Sequence, residues 1–293
     1  MSADDDNPAF QAVFVCGPTA SGKTAYALDL AERIGGEIVN GDAFQLYRGV
    51  EILTAAPTPE ERARAPHHLF GVLDPGTENN AFQYRRLARP VLREILERGA
   101  TPVVVGGSGL YLKFLTHGPS PLPPGDPALR RELDARPLDD LVSELRRLDP
   151  LEAERTNLTN RRYVTRALEI CLLSGRRASE LRDKWKSASE KIDAHLHGVF
   201  LRRPRAELHE RIARRTRAML DGGAIEEVAR IRHPSATLAR AHGFPEITAL
   251  LAGRIDRAAC EERMNAIVRQ YAKRQETWFR KERWLEPVEL SPL

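Results

Sequence analysis

The stretch Gly17-Pro18-Thr19-Ala20-Ser21-Gly22-Lys23-Thr24 reads G-x-x-x-x-G-K-T, a pattern that folds backbone N–H groups around phosphate oxygens. So short a match can arise by chance, so its flanks decide. Ala12-Val13-Phe14-Val15-Cys16 before it is an apolar run that predicts a buried strand. After it, Ala27, Leu30, Ala31 and Ile34 recur at helical spacing, and Gly35-Gly36 stops the helix. Strand, glycine-rich turn and helix come in the required order. The glycines let the chain close on an anion, and the helix N-terminus adds partial positive charge. Lys23 adds a full charge, and the Thr24 hydroxyl can hold Mg²⁺. The alternative, a chance match on a structural turn, leaves the flanking pattern unexplained. The loop does not say which phosphate compound it holds.

Two more strand-to-turn units follow. Glu37-Ile38-Val39-Asn40 predicts a second strand leading to Asp42, and Pro102-Val103-Val104-Val105 a third leading to Gly106-Gly107-Ser108-Gly109. In an open parallel sheet, ligands bind beyond the carboxyl ends of the strands, so Asp42 and Ser108 belong on the phosphate loop's edge. A carboxylate repels phosphate. Asp42 better suits a metal, or a proton or hydrogen bond from a second substrate; the plainer alternative is a helix N-cap. The Ser108 turn could offer donors to the same phosphates, or simply connect strand to helix. No Asp ends the strand at Val105, where ATPases of this loop class usually hold Mg²⁺, which disfavours a nucleotide hydrolase. His67 and His68 diverge as neighbours and lack a nearby third ligand, so a hydrogen-bonding role is expected rather than metal.

A helix through Tyr84, Leu87, Val91 and Ile95, kinked at Pro90, is expected to end at Gly99. At Gly118-Pro119-Ser120-Pro121-Leu122-Pro123-Pro124-Gly125 the composition changes abruptly. Only helical patterns follow, at 127–134, 138–148, 160–173 and 179–186, before His197 to Leu201 returns to strand character. The expected organisation is an α/β core of the P-loop type with a parallel sheet, 1–118 and 196–293, interrupted by a helical insertion domain, 119–195. A helix after Pro204 turns Leu208, Ile212 and Met219 inward and leaves Arg211 and Arg215 to reach out. A last helix, 258–284, is expected to bury Tyr271 and Trp278 in the core rather than offer them as base-stacking platforms, and to present Arg269, Lys273, Arg274, Arg280 and Lys281 as a candidate nucleic-acid surface. Arg162 and Arg166, one turn apart, form either a solvated face or a phosphate clamp. Cys16, Cys171 and Cys260 are dispersed and form no C-x-x-C pair, which points to a reducing compartment. The polar, acidic start is no signal peptide, and no apolar run approaches the roughly 20 residues that span a bilayer. A cytoplasmic protein without membrane contact is expected.

The motifs add up. GPTASGKT from Gly17, DAFQLYRG from Asp42, PHHL from Pro66, VVVGGSGLY from Val103, RALE from Arg166 and RQYAKRQETWF from Arg269 run in order over nearly the whole chain. In these stretches the sequence resembles the tRNA dimethylallyltransferases, which modify an adenosine beside the anticodon. The resemblance implies dimethylallyl diphosphate as donor, the tRNA anticodon stem-loop as acceptor, Mg²⁺ as cofactor, and a monomer. By family position Gly17, Thr19, Ala20, Ser21, Gly22, Lys23, Thr24 and Arg215 would hold the diphosphate, with Thr24 on the metal. Asp42 would be the general base, with Lys23 and Ser108 (usually Thr in the family) as further catalytic groups. Asp42, Ala43, Phe44, Gln45, Arg162 and Arg166 would contact tRNA. The chain departs from the family at Ala43 (usually Ser), at Leu53-Thr54-Ala55-Ala56-Pro57 for G-T-A-K-P, at Tyr163 for a basic residue, and at Phe244-Pro245 within a G-Y-K-E-like stretch. Two other classes stay open: a small-molecule kinase with ATP in the loop, and an RNA-binding relative without catalysis.

Overall fold

The computed structural model describes residues 7–290. β1 (Val13–Cys16) passes through the phosphate loop into α1 (Lys23–Ile34). There follow β2 (Gly36–Asn40), α2 (Pro59–Arg64), β3 (His67–His68), α3 (Ala81–Glu97), β4 (Thr101–Gly106) and α4 (Gly109–His117). A run of helices comes next: α5 (Pro127–Asp134), α6 (Leu138–Leu148), α7 (Pro150–Arg155), α8 (Arg161–Ser174) and α9 (Ala178–Asp193). The chain then adds β5 (His197–Arg202), α10 (Arg205–Asp221), α11 (Ala224–Arg230), α12 (Phe244–Leu251), α13 (Arg257–Phe279) and β6 (Leu285–Glu289).

The strands form one sheet in the order β3-β2-β4-β1-β5-β6, and every neighbouring pair is parallel. The expected α/β fold on a parallel sheet is thus present. Central β1 and β4 are valine-rich and largely buried, as strands covered on both faces must be. Register aligns Cys16 with Gly106 and Asn40 with Val105. The ends of β1, β4 and β2 are therefore nearly level, and the phosphate loop, Ser108 and Asp42 all leave the sheet at its carboxyl edge. β3 is a two-residue strand beside β2, where His68 Nε2 lies 2.6 Å from Glu37 Oε2 and His67 Nδ1 lies 2.7 Å from the Ala65 carbonyl. Both histidines have the hydrogen-bonding roles expected of them. Arg98 also donates to Glu37, at 2.8 and 2.6 Å, and holds its carboxyl down at about 2.

α3 runs through Pro90 as one helix. One expectation needs correction. The last helix stops at Phe279, where Lys281 and Glu282 N–H groups close a turn onto the Trp278 and Phe279 carbonyls. Leu285-Glu286-Pro287-Val288-Glu289 then pairs with β5 as an edge strand. An edge tolerates Pro287, whose missing N–H can face away from the ladder.

By contact the chain divides into two units, 1–118 with 195–293, and Pro119–Ala194. Within the second unit, Leu133, Leu141, Leu145, Val164 and Leu168 form an apolar centre for α5, α6 and α8. Fully buried Glu169 is held by Arg130 at 2.6 Å and by Arg166 at 3.3 Å. Asp149 caps α7 and also accepts from the N–H and hydroxyl of Ser179. Among the described residues, no helix is long and apolar enough to cross a membrane.

Candidate active site

The phosphate loop is clasped from outside. A side chain on Gly17, at φ 154°, would put its Cβ 2.8 Å from the Leu201 carbonyl of β5, so only glycine fits. Gly22, at φ 99°, starts α1. Ala20 also sits at positive φ, 64°, which costs an L-residue about 1–2 kcal/mol. Arg211 Nε offsets that by donating to the Ala20 carbonyl at 2.7 Å, and Arg203 Nε donates to the Ser21 carbonyl at 2.8 Å. Two arginines from the far part of the sequence therefore take the loop's carbonyls. The first-turn N–H groups of α1 have no intrahelical acceptor and are available for an anion.

Lys23 Nζ donates to the Gly17 and Pro18 carbonyls at 3.0 and 2.9 Å, and Arg215 donates to the Thr19 hydroxyl. Burial pushes Lys23 down to about 8 and Arg215 to about 10, in each case against the opposing pull of the Asp42 carboxylate. Asp42 thus lies within electrostatic reach of both cations. It does not cap a helix. Its Oδ1 accepts from the Phe44 N–H at 2.9 Å, and its own N–H donates to Asn40 Oδ1 at 2.8 Å. Asn40 is buried and tied to the Leu69 carbonyl, so the Asp42 turn is anchored from below. Among the described residues, no hydrogen bond occupies Asp42 Oδ2.

Ser108 Oγ accepts from the Ala43 N–H at 3.1 Å, joining the turns after β2 and β4. Gln45 lines the site, but its Nε2 donates to the Thr54 and Ala55 carbonyls at 3.0 and 2.8 Å. From the opposite side, the Glu227 carboxylate takes the N–H groups of Ile52 and Leu53 at 2.9 and 2.8 Å. The start and middle of the stretch in which the chain departs from G-T-A-K-P are thereby held from two sides.

These residues surround a cavity of about 1080 Å³. Thr19, Ala20, Gly22, Lys23, Thr24, Asp42, Gln45 and Arg215 all line it, and Gly106 and Gly107 bring the Ser108 turn to its wall. Gly17 and Ser21 are buried in the loop behind. Ala43 is buried beneath Asp42, and Phe44 faces a side recess of about 70 Å³ shared with Asp42 and His242. Arg162 and Arg166 belong to the helical unit: Arg162 is exposed, whereas Arg166 donates to Glu169 and to the Pro123 carbonyl.

Gln275, Tyr271 and Arg211 also line the cavity, from α13 and α10; of these, only Arg211 was expected to reach outward from its helix. The sequence placed Tyr271 and Trp278 in the core. Tyr271 instead faces the cavity with its ring 4.2 Å from that of His242, and Trp278 is 39% exposed. Among the described residues, no cluster of three His, Cys, Asp or Glu could hold a metal ion. The oxygen donors at the cavity, Thr24 and Asp42, fit a hard ion such as Mg²⁺, which takes few protein ligands and is completed by phosphate and water.

A family model described as IPP transferase matches residues 45–282. The tRNA dimethylallyltransferase of Akkermansia muciniphila is 42% identical over 280 residues, covering 96% of this chain and 94% of that protein. That of Anaeromyxobacter dehalogenans is 44% identical over 285 residues, 94% of each. The crystal structure of the full-length tRNA isopentenylpyrophosphate transferase from Bacillus halodurans matches with a TM-score of 0.66 at 32% identity, over 95% of this chain and 89% of that one. Sequence motifs, sheet order and the similarity along nearly the whole chain agree: the protein belongs to the IPP transferase family, among relatives that are tRNA dimethylallyltransferases.

Proposed function

We propose that the protein transfers a dimethylallyl group from dimethylallyl diphosphate to N6 of the adenosine 3′-adjacent to the anticodon in tRNA, as a cytoplasmic monomer using Mg²⁺. One observation carries this reading: Asp42 shares a single cavity with Lys23 and Arg215. A proton acceptor and two cations suited to a diphosphate thus face the same space.

The chemistry follows from that placement. As the C1–O bond of the donor breaks, negative charge grows on the departing diphosphate. Lys23, Arg215 and the first-turn N–H groups of α1 stabilise that charge more than they stabilise the bound donor, which is what lowers a barrier. Mg²⁺ held by the Thr24 hydroxyl would supply further charge neutralisation on the diphosphate. The acceptor amine is weakly nucleophilic because its lone pair is delocalised into the adenine ring. Asp42 Oδ2 takes the N6 proton as the N–C bond forms, a contribution of about 10²–10⁴-fold. The adenosine must leave its stack to reach Asp42, at a cost of a few kcal/mol. Ser108 accepts from Ala43 and pairs with the Tyr271 side chain; in this reading its hydroxyl hydrogen turns toward the diphosphate when the donor binds. In this reading the insertion, 119–195, grips the tRNA, with exposed Arg162 on a phosphate, Arg166 bracing α8 beneath it, and the turn from Ala43 to Gln45 beside the acceptor. Family membership leaves the kinase reading without support.

The test is a nucleoside mass analysis of unmodified tRNA incubated with the protein, dimethylallyl diphosphate and Mg²⁺, without ATP. The expected product is dimethylallyl adenosine. No product from folded protein that binds the diphosphate would overturn the assignment.

A further inference from the structure

α13 carries a stripe of side chains out of the cavity. Tyr271 and Gln275 line the cavity, and Trp278 follows Gln275 one turn further on. The indole lies on the turn that bears Ser108, since a Cβ on Gly109 would collide with its Nε1 and Cδ1. That turn therefore backs part of the indole, while 39% of Trp278 and 53% of neighbouring Leu110 are exposed. Exposed Arg274 precedes Trp278 by one turn of the helix, and exposed Lys281 follows it in the turn that closes the helix's end. The Arg274 guanidinium is 5.8 Å from the centre of the Tyr271 ring. Aromatic and cationic groups thus alternate from the cavity to the surface.

We infer that Trp278 is a stacking platform for an unpaired RNA base next to the acceptor adenosine, flanked by Arg274 and Lys281 on the adjoining phosphates. This rests on the acceptor assigned above. Drawing one nucleotide into the cavity strips its neighbour of a stacking partner. An indole at the cavity's edge replaces that partner, and the cations on either side match a backbone that carries one negative charge per nucleotide. Single-stranded RNA is bound by this combination of aromatic faces and positive charge. A protein partner would need a broader apolar face than two side chains.

The test is a binding series with an anticodon stem-loop RNA and a set of single abasic substitutions beside the acceptor adenosine. Wild-type protein should lose about 5- to 100-fold in affinity at one of these positions, the range that stacking one base on an aromatic side chain supplies. Trp278→Leu should lose the same with the intact RNA and nothing further with that abasic RNA. Trp278→Phe, which keeps a ring, should retain most of the affinity, and the dissociation constant for dimethylallyl diphosphate should be unchanged in both variants. If Trp278→Leu does not fold, the wild-type and Trp278→Phe series decide. A flat abasic series, or equal abasic penalties in wild type and Trp278→Leu, overturns the inference while leaving the reaction intact. Wild-type protein that neither binds nor modifies the RNA would overturn the acceptor assignment instead.

Discussion

Gln275 Oε1 accepts the Thr19 N–H at 2.8 Å, and Gln275 Nε2 donates to the Gly107 carbonyl at 2.9 Å. One buried amide from α13 thus ties the phosphate loop to the turn that carries Ser108. Gln275→Leu removes both bonds and leaves a donor and an acceptor unmet, an expected loss of about 1–3 kcal/mol in stability. The two turns would also lose their common support, so KM for the donor should rise. Gln275→Glu is the sharper probe, because it keeps the acceptor for Thr19, loses the donor to Gly107 and adds a charge beside the diphosphate. Thermal unfolding and donor KM, measured together, check this. A leucine variant with wild-type values on both would show that the tie is dispensable.

Asp42→Asn separates the carboxylate's two roles. Asparagine keeps an acceptor for the Phe44 N–H, so the turn should hold. In the proposed reaction this removes the group that takes the N6 proton, and turnover should fall by about 10²–10⁴-fold. Single-turnover rates together with titrations of diphosphate and tRNA check this. Undiminished rates would move the proton acceptor elsewhere.

The Lys23 ammonium, pushed down to about 8, gives a pH signature. Ligand-free protein loses this charge as pH rises through about 8, so kcat/KM for the donor should decline above that point. A bound diphosphate restores negative charge beside Lys23 and holds its proton, so kcat should persist to higher pH. The stability effect has the opposite sense. The unfolded chain keeps a lysine proton up to its ordinary value of 10.5, so between about 8 and 10.5 the unfolded state binds more protons and stability rises with pH. The burial penalty is present in full below about 8. Lys23→Met should therefore raise the Tm of the ligand-free protein, by about 2–4 °C per kcal/mol recovered, while abolishing diphosphate binding. A lowered Tm would show that the ammonium's bonds to Gly17 and Pro18 outweigh its desolvation.

What was legible in the sequence was local chemistry. Glycines at strand ends, a lysine beside them and an aspartate after the next strand announce a site because their neighbours in sequence are their neighbours in space. The parallel sheet was legible for the same reason: β1 and β4 are valine-rich runs followed by glycine turns. The residues that clasp the loop were not. Arg203 and Gln275 reach it from 182 and 256 positions away, and nothing beside them in sequence marks them; Arg211 was expected to reach outward, but its helix does not show that it reaches the loop. β6 was missed because Leu285-Glu286-Pro287-Val288-Glu289 has a proline and two charges, a composition that only an edge position permits. Trp278 was misplaced because helical period assigns a face and cannot say whether anything covers it. Gln45, expected to touch RNA, also ties down two carbonyls of its own chain through Nε2, a role its neighbours in sequence do not show.

Ile52, Thr54 and Ala55 form one wall of the cavity. Glu227 is buried, with its carboxylate on the Ile52 and Leu53 N–H groups, while Gln45 holds Thr54 and Ala55 from the cavity side. Ala55 sits at φ 50°, a strained conformation that persists only when neighbours over-determine it. Glu227→Gln can accept with one oxygen only, so one N–H loses its partner at a cost of about 1–3 kcal/mol. The catalytic groups are untouched. Loosening this wall should raise KM for donor or acceptor several-fold and leave the rate at saturation near wild type. Gln45→Leu should act in the same direction, and the double variant should fall short of additivity because both hold one loop. Steady-state kinetics on the three variants check this. A fall in kcat without a change in KM would mean that Glu227 acts on the chemical step rather than on the wall.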